Sequence, residues 1–140
     1  MVYVTRKEQF CASHRVFRAD WSLAKNLEVF GACANPNFHG HNFELLVKVK
    51  GHPDPVTGYV IDLKILSKLI RTHVIEQVDY KNLNDEVAFL EGKLPSCEHL
   101  VMAFWKILAP LVQQTTNGTA SLHSLVLWET ERNFVEYYGE

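Results

Sequence analysis

The most regular pattern in this 140-residue chain is a two-residue alternation of apolar and polar side chains over residues 39–50. Phe43, Leu45 and Val47 share one parity, whereas Glu44 and Lys48 have the other. Successive side chains of a strand point to opposite faces, so this alternation predicts a β-strand that buries one face against a core. A looser alternation over residues 2–14 predicts a second half-buried strand.

The second half of the chain predicts two helices followed by two strands. Asp62 and Ser96 are predicted helix N-caps, and each precedes apolar residues that recur at helical spacing. Pro110 is predicted to bend or end the second helix. Residues 122–138 contain two β-branched and aromatic stretches joined by a turn near 131–133. The order strand, strand, helix, helix, strand, strand (ββααββ) predicts an α+β fold, with a four-stranded antiparallel sheet and both helices on one face.

Two polar segments separate these elements. The connection over residues 15–38 is long for a small domain, which is typical of a functional loop, and it contains a predicted helical turn around residues 23–30. Residues 79–86, DYKNLNDE, form a polar break between the two predicted helices.

Composition is that of one ordinary globular domain over residues 1–140. Hydrophobic residues make up 47% and charged residues 21%. The net charge of −2 gives no reason to expect nucleic acid or an anionic membrane as a partner. The three cysteines cannot all pair, and the N-terminus has no apolar signal segment, so the sequence favours a reducing, cytoplasmic setting.

Two of the seven histidines are spaced for metal chelation. His39 and His41 lie two residues apart on the predicted strand, so both imidazoles point to the same side. A catalytic metal site normally has three protein ligands and an open fourth position. His14 is the candidate third ligand if the first two strands pair as a hairpin. Alone, the His-Gly-His motif also fits two hydrogen-bonded histidines at the start of a strand.

Cys33 lies six residues before His39, in the long connection. A free thiol has a pKa of about 8.5, and a nearby metal ion or cation lowers it and produces a thiolate base or nucleophile. Two alternatives remain open. Cys33 packs as a small apolar residue, as expected for Cys11 and Cys97, or it is a fourth metal ligand, which would make the site closed and structural.

Four segments together resemble the 6-pyruvoyl-tetrahydropterin synthase family, in order and over nearly the whole chain. They are FCASHR at 10–15, FGACANPNFHGHNF at 30–43, DYKNLN at 79–84 and LWETERNFVEYYGE at 127–140. The resemblance implies the tunnelling fold, in which three subunits form a 12-stranded barrel and two trimers stack into a homohexamer. It also implies active sites at subunit interfaces.

The resemblance implies a zinc enzyme that acts on a pterin triphosphate. It converts 7,8-dihydroneopterin triphosphate into 6-pyruvoyl-tetrahydropterin with loss of triphosphate. Mg²⁺ can accompany the triphosphate group of the substrate. The implied zinc ligands are His14, His39 and His41. Cys33 matches the base that removes a proton from the substrate side chain.

The resemblance also implies a pterin-binding set. Glu129 matches the glutamate that anchors the pterin ring, a role suited to a carboxylate because it can accept two parallel N–H bonds. Cys97 and Glu98 fall in a segment that helps to bind the pterin.

The chain departs from the family pattern at the acid/base relay. The family has Asp followed by His in a DHKNL segment, whereas this chain has Asp79 followed by Tyr80. A phenol with a pKa near 10 is poorly matched to proton transfer at neutral pH. The alternatives are a relay through Tyr80, a catalytically weakened pterin-binding homologue, or a related pterin substrate.

The loop before the His-Gly-His motif differs from that of related families at two points. Phe38 replaces the glycine of the family's NPNGHGH segment. Five residues separate Cys33 from His39, whereas three are typical of the 6-carboxy-tetrahydropterin synthases of queuosine biosynthesis. The spacing favours the pyruvoyl-forming type and leaves the carboxy-forming enzyme as the alternative.

Overall fold

Two long antiparallel strands, β1 (Val2–His14) and β2 (His39–Gly51), form the centre of the sheet. The computed structural model describes all 140 residues. Every residue of β1 has a partner in β2, from Val2 opposite Gly51 to His14 opposite His39. Phe43, Leu45 and Val47 are fully buried, so the strand predicted from the alternation is confirmed.

The sheet has five strands in the order β3-β1-β2-β4-β5. Strand β4 (Ala120–Trp128) pairs with β2, and β5 (Phe134–Tyr137) pairs with β4, both antiparallel. The additional strand β3 (Lys81–Asn82) pairs in parallel with the end of β1. The α+β class is confirmed, but the predicted count of four strands misses β3. Two residues are too few to leave an alternation pattern, and they lie in the segment predicted as a polar break.

Hydrogen bonds hold the segment around β3 against the end of β1. The Asp79 carboxylate accepts a bond from the backbone N–H of Cys11 at 2.8 Å, and the Tyr80 N–H donates to the Cys11 carbonyl at 2.6 Å. The Asn84 side chain accepts from the Arg15 N–H and donates to the Arg15 carbonyl, both at 2.9 Å. The strand end that carries His14 is therefore fixed from outside the central hairpin.

The helices begin where capping residues predict. Helix α2 (Leu63–Ile70) begins at Asp62, which accepts a bond from the Lys64 N–H, and it continues through a π-helical turn (Arg71–Ile75) into α3 (Glu76–Val78). Ser96 caps α4 (Cys97–Thr115) by accepting a bond from the His99 N–H. Pro110 does not end α4, which continues to Thr115. The remaining helical elements are α1 (Leu23–Phe30) and two 3₁₀ turns, Gly31–Ala34 and Ala88–Leu90.

One hydrophobic core of 27 residues lies between the sheet and the helices. Helix α2 packs on β1 and α4 packs on β4, on the same face of the sheet. Phe10 and Phe43 stack across the central hairpin with ring centroids 4.7 Å apart, and Phe104 of α4 meets Phe10 edge to face. The predicted placement of the helices on one sheet face is confirmed. No helix combines the length and the apolar composition needed to span a lipid bilayer.

Asn26 organises the long connection between β1 and β2. Its side chain is completely buried, and its carboxamide accepts from the Arg18 N–H at 2.7 Å and donates to the carbonyls of Arg18 and Ser22. Further along, the Val16 N–H donates to the Cys33 carbonyl at 2.8 Å. These bonds fold the connection back over the end of β1, where it carries Cys33.

We expect Asn26→Ala to lower the free energy of unfolding by about 1–3 kcal/mol, because it leaves buried backbone groups of the connection without partners. Asn37→Ala is the matched control, because the Asn37 side chain is exposed; it should change stability by less than about 0.5 kcal/mol. Urea unfolding of both variants measures the difference. Equal stabilities would show that Asn26 does not hold the connection.

Candidate metal centre

The three predicted metal ligands meet at the end of the central hairpin. His14 and His39 are direct partners across β1 and β2, and His41 lies two residues further along β2 on the same face. One side-chain nitrogen from each histidine lies within 4.8 Å of the other two. The imidazole ring centroids are 4.6–5.2 Å apart.

Each of these histidines presents a buried ring nitrogen that has no hydrogen-bond partner. These atoms are His14 Nε2, His39 Nδ1 and His41 Nε2. Buried polar atoms normally have partners, so three unpartnered nitrogens that lie close together fit a set of metal ligands. Imidazole nitrogens are ligands that suit Zn²⁺ and other transition metal ions.

The other nitrogen of His14 fixes the form of that ring. His14 Nδ1 lies 2.8 Å from the carbonyl oxygen of Pro95. A carbonyl can only accept, so Nδ1 carries the hydrogen and Nε2 keeps a free lone pair in the neutral ring. A second hydrogen bond of this kind is the usual support of a metal-ligating histidine.

Burial favours the neutral form of two ligands. The pKa of His14 lies below its ordinary value chiefly because of burial, and the neighbouring histidines lower it further. Burial is also the main cause of the lowered pKa of His41, against an opposing effect of the Glu129 carboxylate. Neutral imidazoles at neutral pH are ready to bind a metal ion.

Glu129 lies against the histidines. It follows β4 directly, and its Oε1 atom is 3.4 Å from Nε2 of both His14 and His41. The turn that it begins is closed by its own N–H, which donates to the Asn133 carbonyl at 3.0 Å. The end of β4 therefore delivers a carboxylate to the same point as the central hairpin.

A cavity of about 430 Å³ opens beside the histidines. Five predicted site residues line it: His14, Cys33, Cys97, Glu98 and Glu129. They come from the end of β1, the long connection, the start of α4 and the end of β4. The volume is in the range of small-molecule sites, so the structure brings this part of the predicted set into one ligand-sized space.

The two thiols of the cavity differ in their surroundings. Cys97 is buried, and its pKa is raised first by that burial and then by the adjacent Glu129 carboxylate. Cys97 therefore stays a neutral thiol. Cys33 is exposed, so it is the thiol that a ligand or solvent can reach.

Asp79 and Tyr80 lie outside this cavity. Asp79 binds the backbone of Cys11, and Tyr80 is 86% exposed at the β3 edge of the sheet. Tyr80 instead lines a separate recess of about 280 Å³ with Lys81 and Gly40. Within one chain, the structure does not bring the predicted relay residues together with Cys33, and their catalytic role stays a prediction.

Phe38 has a backbone conformation that favours glycine. Its φ of 61° lies in the left-handed region, which costs an ordinary residue about 1–2 kcal/mol. The Arg15 guanidinium carbon is 5.4 Å from the centre of the Phe38 ring and 3.8 Å from that of Phe17. The aromatic side chain therefore extends a cation–π cluster next to two histidines of the site.

Sequence reasoning missed the contribution of the turn after β4. Arg132, Asn133 and Phe134 line the same cavity as Glu129. The only signal in the sequence is a charged residue close to Glu129 in a predicted turn, and such residues are usually solvated.

Comparison with known proteins places this chain in a family. A sequence profile of the family described as 6-pyruvoyl tetrahydropterin synthase matches residues 3–140. A human protein named 6-pyruvoyl tetrahydrobiopterin synthase is 35% identical over 137 residues, covering 98% of this chain and 91% of that protein. A protein of the same name from Dictyostelium discoideum is 34% identical, over 99% of this chain and 97% of its own length.

A solved structure shows the same architecture. The 6-pyruvoyl tetrahydropterin synthase of Caenorhabditis elegans superposes with a TM-score of 0.87 at 32% identity. The match covers 99% of this chain and 96% of that one.

Replacing a predicted ligand should abolish metal binding. We expect the parent protein, loaded with Zn²⁺ and then freed of excess, to hold about one ion per chain, and His39→Ala to hold almost none, because only two imidazoles would remain. His73→Ala, which removes an exposed histidine of the π-helical turn, is the control. Elemental analysis gives the stoichiometry, and full retention of zinc by His39→Ala would exclude the three-histidine site.

Metal-free protein should lose stability as the pH falls. The unfolded chain takes up protons at the ordinary histidine pKa of about 6.5, whereas folded His14 and His41 resist protonation because their pKa values are lowered. Stability should therefore be complete above that pH and decline below it, through the lowered pKa values. Urea unfolding in chelator between about pH 7.5 and pH 5.5 measures the slope. His14→Gln should flatten it, and an unchanged slope in that variant would contradict the assignment.

Proposed function

The chain belongs to the 6-pyruvoyl tetrahydropterin synthase family, and on that premise we propose that it is a zinc-dependent 6-pyruvoyl-tetrahydropterin synthase. The proposed reaction converts 7,8-dihydroneopterin triphosphate into 6-pyruvoyl-tetrahydropterin and releases triphosphate. The observation that carries this proposal is the convergence of three unpartnered imidazole nitrogens beside one cavity that contains an accessible thiol and a carboxylate.

Zinc is the proposed ion because three imidazole ligands, with a fourth position left for water or substrate, are an arrangement found in catalytic zinc sites. When bound, it supplies Lewis-acid polarisation of the substrate's side-chain hydroxyls. The proposed ligand atoms are the unpartnered nitrogens His14 Nε2, His39 Nδ1 and His41 Nε2. Mg²⁺ enters this scheme only with the triphosphate of the substrate.

The proton steps are assigned to Cys33. Its Sγ removes a proton from the substrate side chain and returns it to the neighbouring carbon during the internal redox shift, and triphosphate then leaves by elimination. Cys97 lines the same cavity, but its raised pKa keeps it protonated and unsuited to act as a base.

Glu129 is the proposed anchor of the pterin ring. Its carboxylate can accept two parallel N–H bonds from the 2-amino and N3 positions of the ring. Glu98 and Cys97, at the start of α4, line the same space and complete the proposed pterin-binding set. Both carboxylates are hydrogen-bond acceptors, which suits the N–H groups of the ring.

The proposed assembly is a homohexamer of two stacked trimers, in the cytoplasm. The observation that supports assembly is that both outer edges of the sheet have strand positions without partners in this chain. Strand β5 has a partner on one side only, and β1 is covered by β3 for only two residues. Val2 and Tyr3, near the open end of β1, are 42% and 52% exposed. Open strand edges favour pairing with another chain. In such an assembly Tyr80, exposed at the β3 edge of the sheet, would lie at the interface with a neighbouring subunit.

A second candidate is a catalytically weakened pterin-binding homologue. It is favoured by Tyr80, a phenol at the relay position that lies outside the Cys33 cavity of its own chain. On this alternative the parent is almost inert and Tyr80→His raises turnover sharply. Robust parental turnover would exclude it.

Product analysis after incubation with 7,8-dihydroneopterin triphosphate tests the proposed function. We expect release of triphosphate and formation of 6-pyruvoyl-tetrahydropterin. A 6-carboxy product would instead assign the chain to the queuosine-type reaction. Absence of any product from zinc-loaded protein would contradict both.

Cys33→Ala should lower kcat by about 10²–10⁴-fold, because it removes the group assigned to proton transfer. Its zinc content should be unchanged, because Cys33 is not a proposed ligand. Cys11→Ala is the matched control, since Cys11 lies on β1 outside the cavity. Steady-state kinetics with elemental analysis checks both points, and loss of zinc from Cys33→Ala would show that the thiol is a ligand instead.

A further inference from the structure

The wall of the cavity carries one cation, the exposed side chain of Arg132, that has no ionic partner within the chain. Glu98 and Glu129 contribute two negative charges to its wall, and Arg132 is the only arginine or lysine that lines it. Arg132 has no carboxylate within ion-pair distance, although both glutamates line the same space. Its guanidinium also donates no hydrogen bond within the chain.

The turn that carries Arg132 is well ordered by its own bonds. The Thr130 hydroxyl accepts from the N–H groups of Arg132 and Asn133, at 3.2 Å and 3.1 Å. The Glu129 N–H donates to the Asn133 carbonyl and closes the turn. The proposed pterin anchor and Arg132 are therefore held three residues apart on one short loop, and both residues line the cavity.

A triphosphate substrate would be a suitable ionic partner for the Arg132 guanidinium. Such a ligand carries several negative charges, and the two glutamates would repel it. A guanidinium matches a phosphate group with two parallel N–H···O bonds, which makes it stronger and more directional than an ammonium group. An unpaired guanidinium is also free of the cost of breaking an existing ion pair when the ligand arrives.

We propose that Arg132 binds the triphosphate group of the substrate and so sets the preference of the site for phosphorylated over unphosphorylated pterins. This inference rests on the proposed function for the identity of the ligand, but the recognition of a polyphosphate by Arg132 can be measured without turnover. Arg132 touches the leaving group and takes no part in proton transfer.

Inorganic tripolyphosphate is the probe for this test, titrated calorimetrically into the intact zinc-loaded protein. We expect Arg132→Ala to weaken its binding about tenfold or more, as for the loss of one bidentate charge-assisted contact, and Arg132→Lys to be intermediate. Binding of 7,8-dihydroneopterin, which has no phosphate, should stay within about twofold. Zinc content measured after each titration shows that the probe has not removed the ion.

Arg18→Ala is the matched control, because the Arg18 guanidinium is bound to Asp20 on the surface and does not line the cavity. Unchanged tripolyphosphate affinity in Arg132→Ala would overturn the proposal, and so would absence of tripolyphosphate binding by the parent. Equal weakening of tripolyphosphate and dihydroneopterin would assign Arg132 to the shape of the cavity and overturn it too. Failure of the proposed function would give a different result. The parent protein would then release no triphosphate from the pterin substrate, although it would still bind tripolyphosphate through Arg132.

Discussion

The register between β1 and β2 is the constraint on which the site depends. It places His14 opposite His39, and the side-chain parity of β2 then puts His41 on the same face. A slip of one residue would turn one strand's side chains to the opposite face. The stacked rings of Phe10 and Phe43 lie on the same faces as the histidines and secure that register through the core. The central part of the hydrophobic core and the candidate metal centre thus depend on the same strand pairing.

Three further segments complete the candidate site around this hairpin, and each contributes different chemical groups. The segment before α4 supplies the Pro95 carbonyl, which sets the hydrogen position on His14. The long connection supplies an exposed thiol, whereas α4 supplies a buried thiol whose pKa is raised. The turn after β4 supplies a carboxylate and a guanidinium. The same few elements therefore give the proposed ligand, base and binding residues different burial and charge.

Periodicity and capping predicted most of the fold, because these signals are local. The alternation in β2 and the caps Asp62 and Ser96 appear in the structure where the sequence places them. Strand β3 was not predictable in this way, because Asp79 and Asn84 hold it through side-chain bonds to a strand nearly 70 residues away. Pro110 was predicted to bend or end its helix, and α4 continues past it to Thr115, so the proline does not set the helix end. Local signals do not report such long-range contacts.

The site was predictable to a similar extent. The His-Gly-His spacing pointed to chelation, but the third ligand depended on a hairpin register, and the roles of Cys33 and Glu129 depended on the family resemblance. Residue spacing gave no indication that Arg132 shares their cavity, because that contact arises from how the β4–β5 turn folds over the end of the sheet. The position of Tyr80 at the sheet edge likewise follows from the unpredicted β3.

The central claim is that the three histidines form an open metal site beside an accessible thiol that is not a metal ligand. X-ray absorption at the zinc edge of the loaded protein tests it most directly. We predict a first shell of nitrogen and oxygen atoms at about 2.0–2.1 Å, with three imidazoles and no sulfur. A sulfur scatterer at about 2.3 Å would make a cysteine the fourth ligand, close the site, and contradict the account.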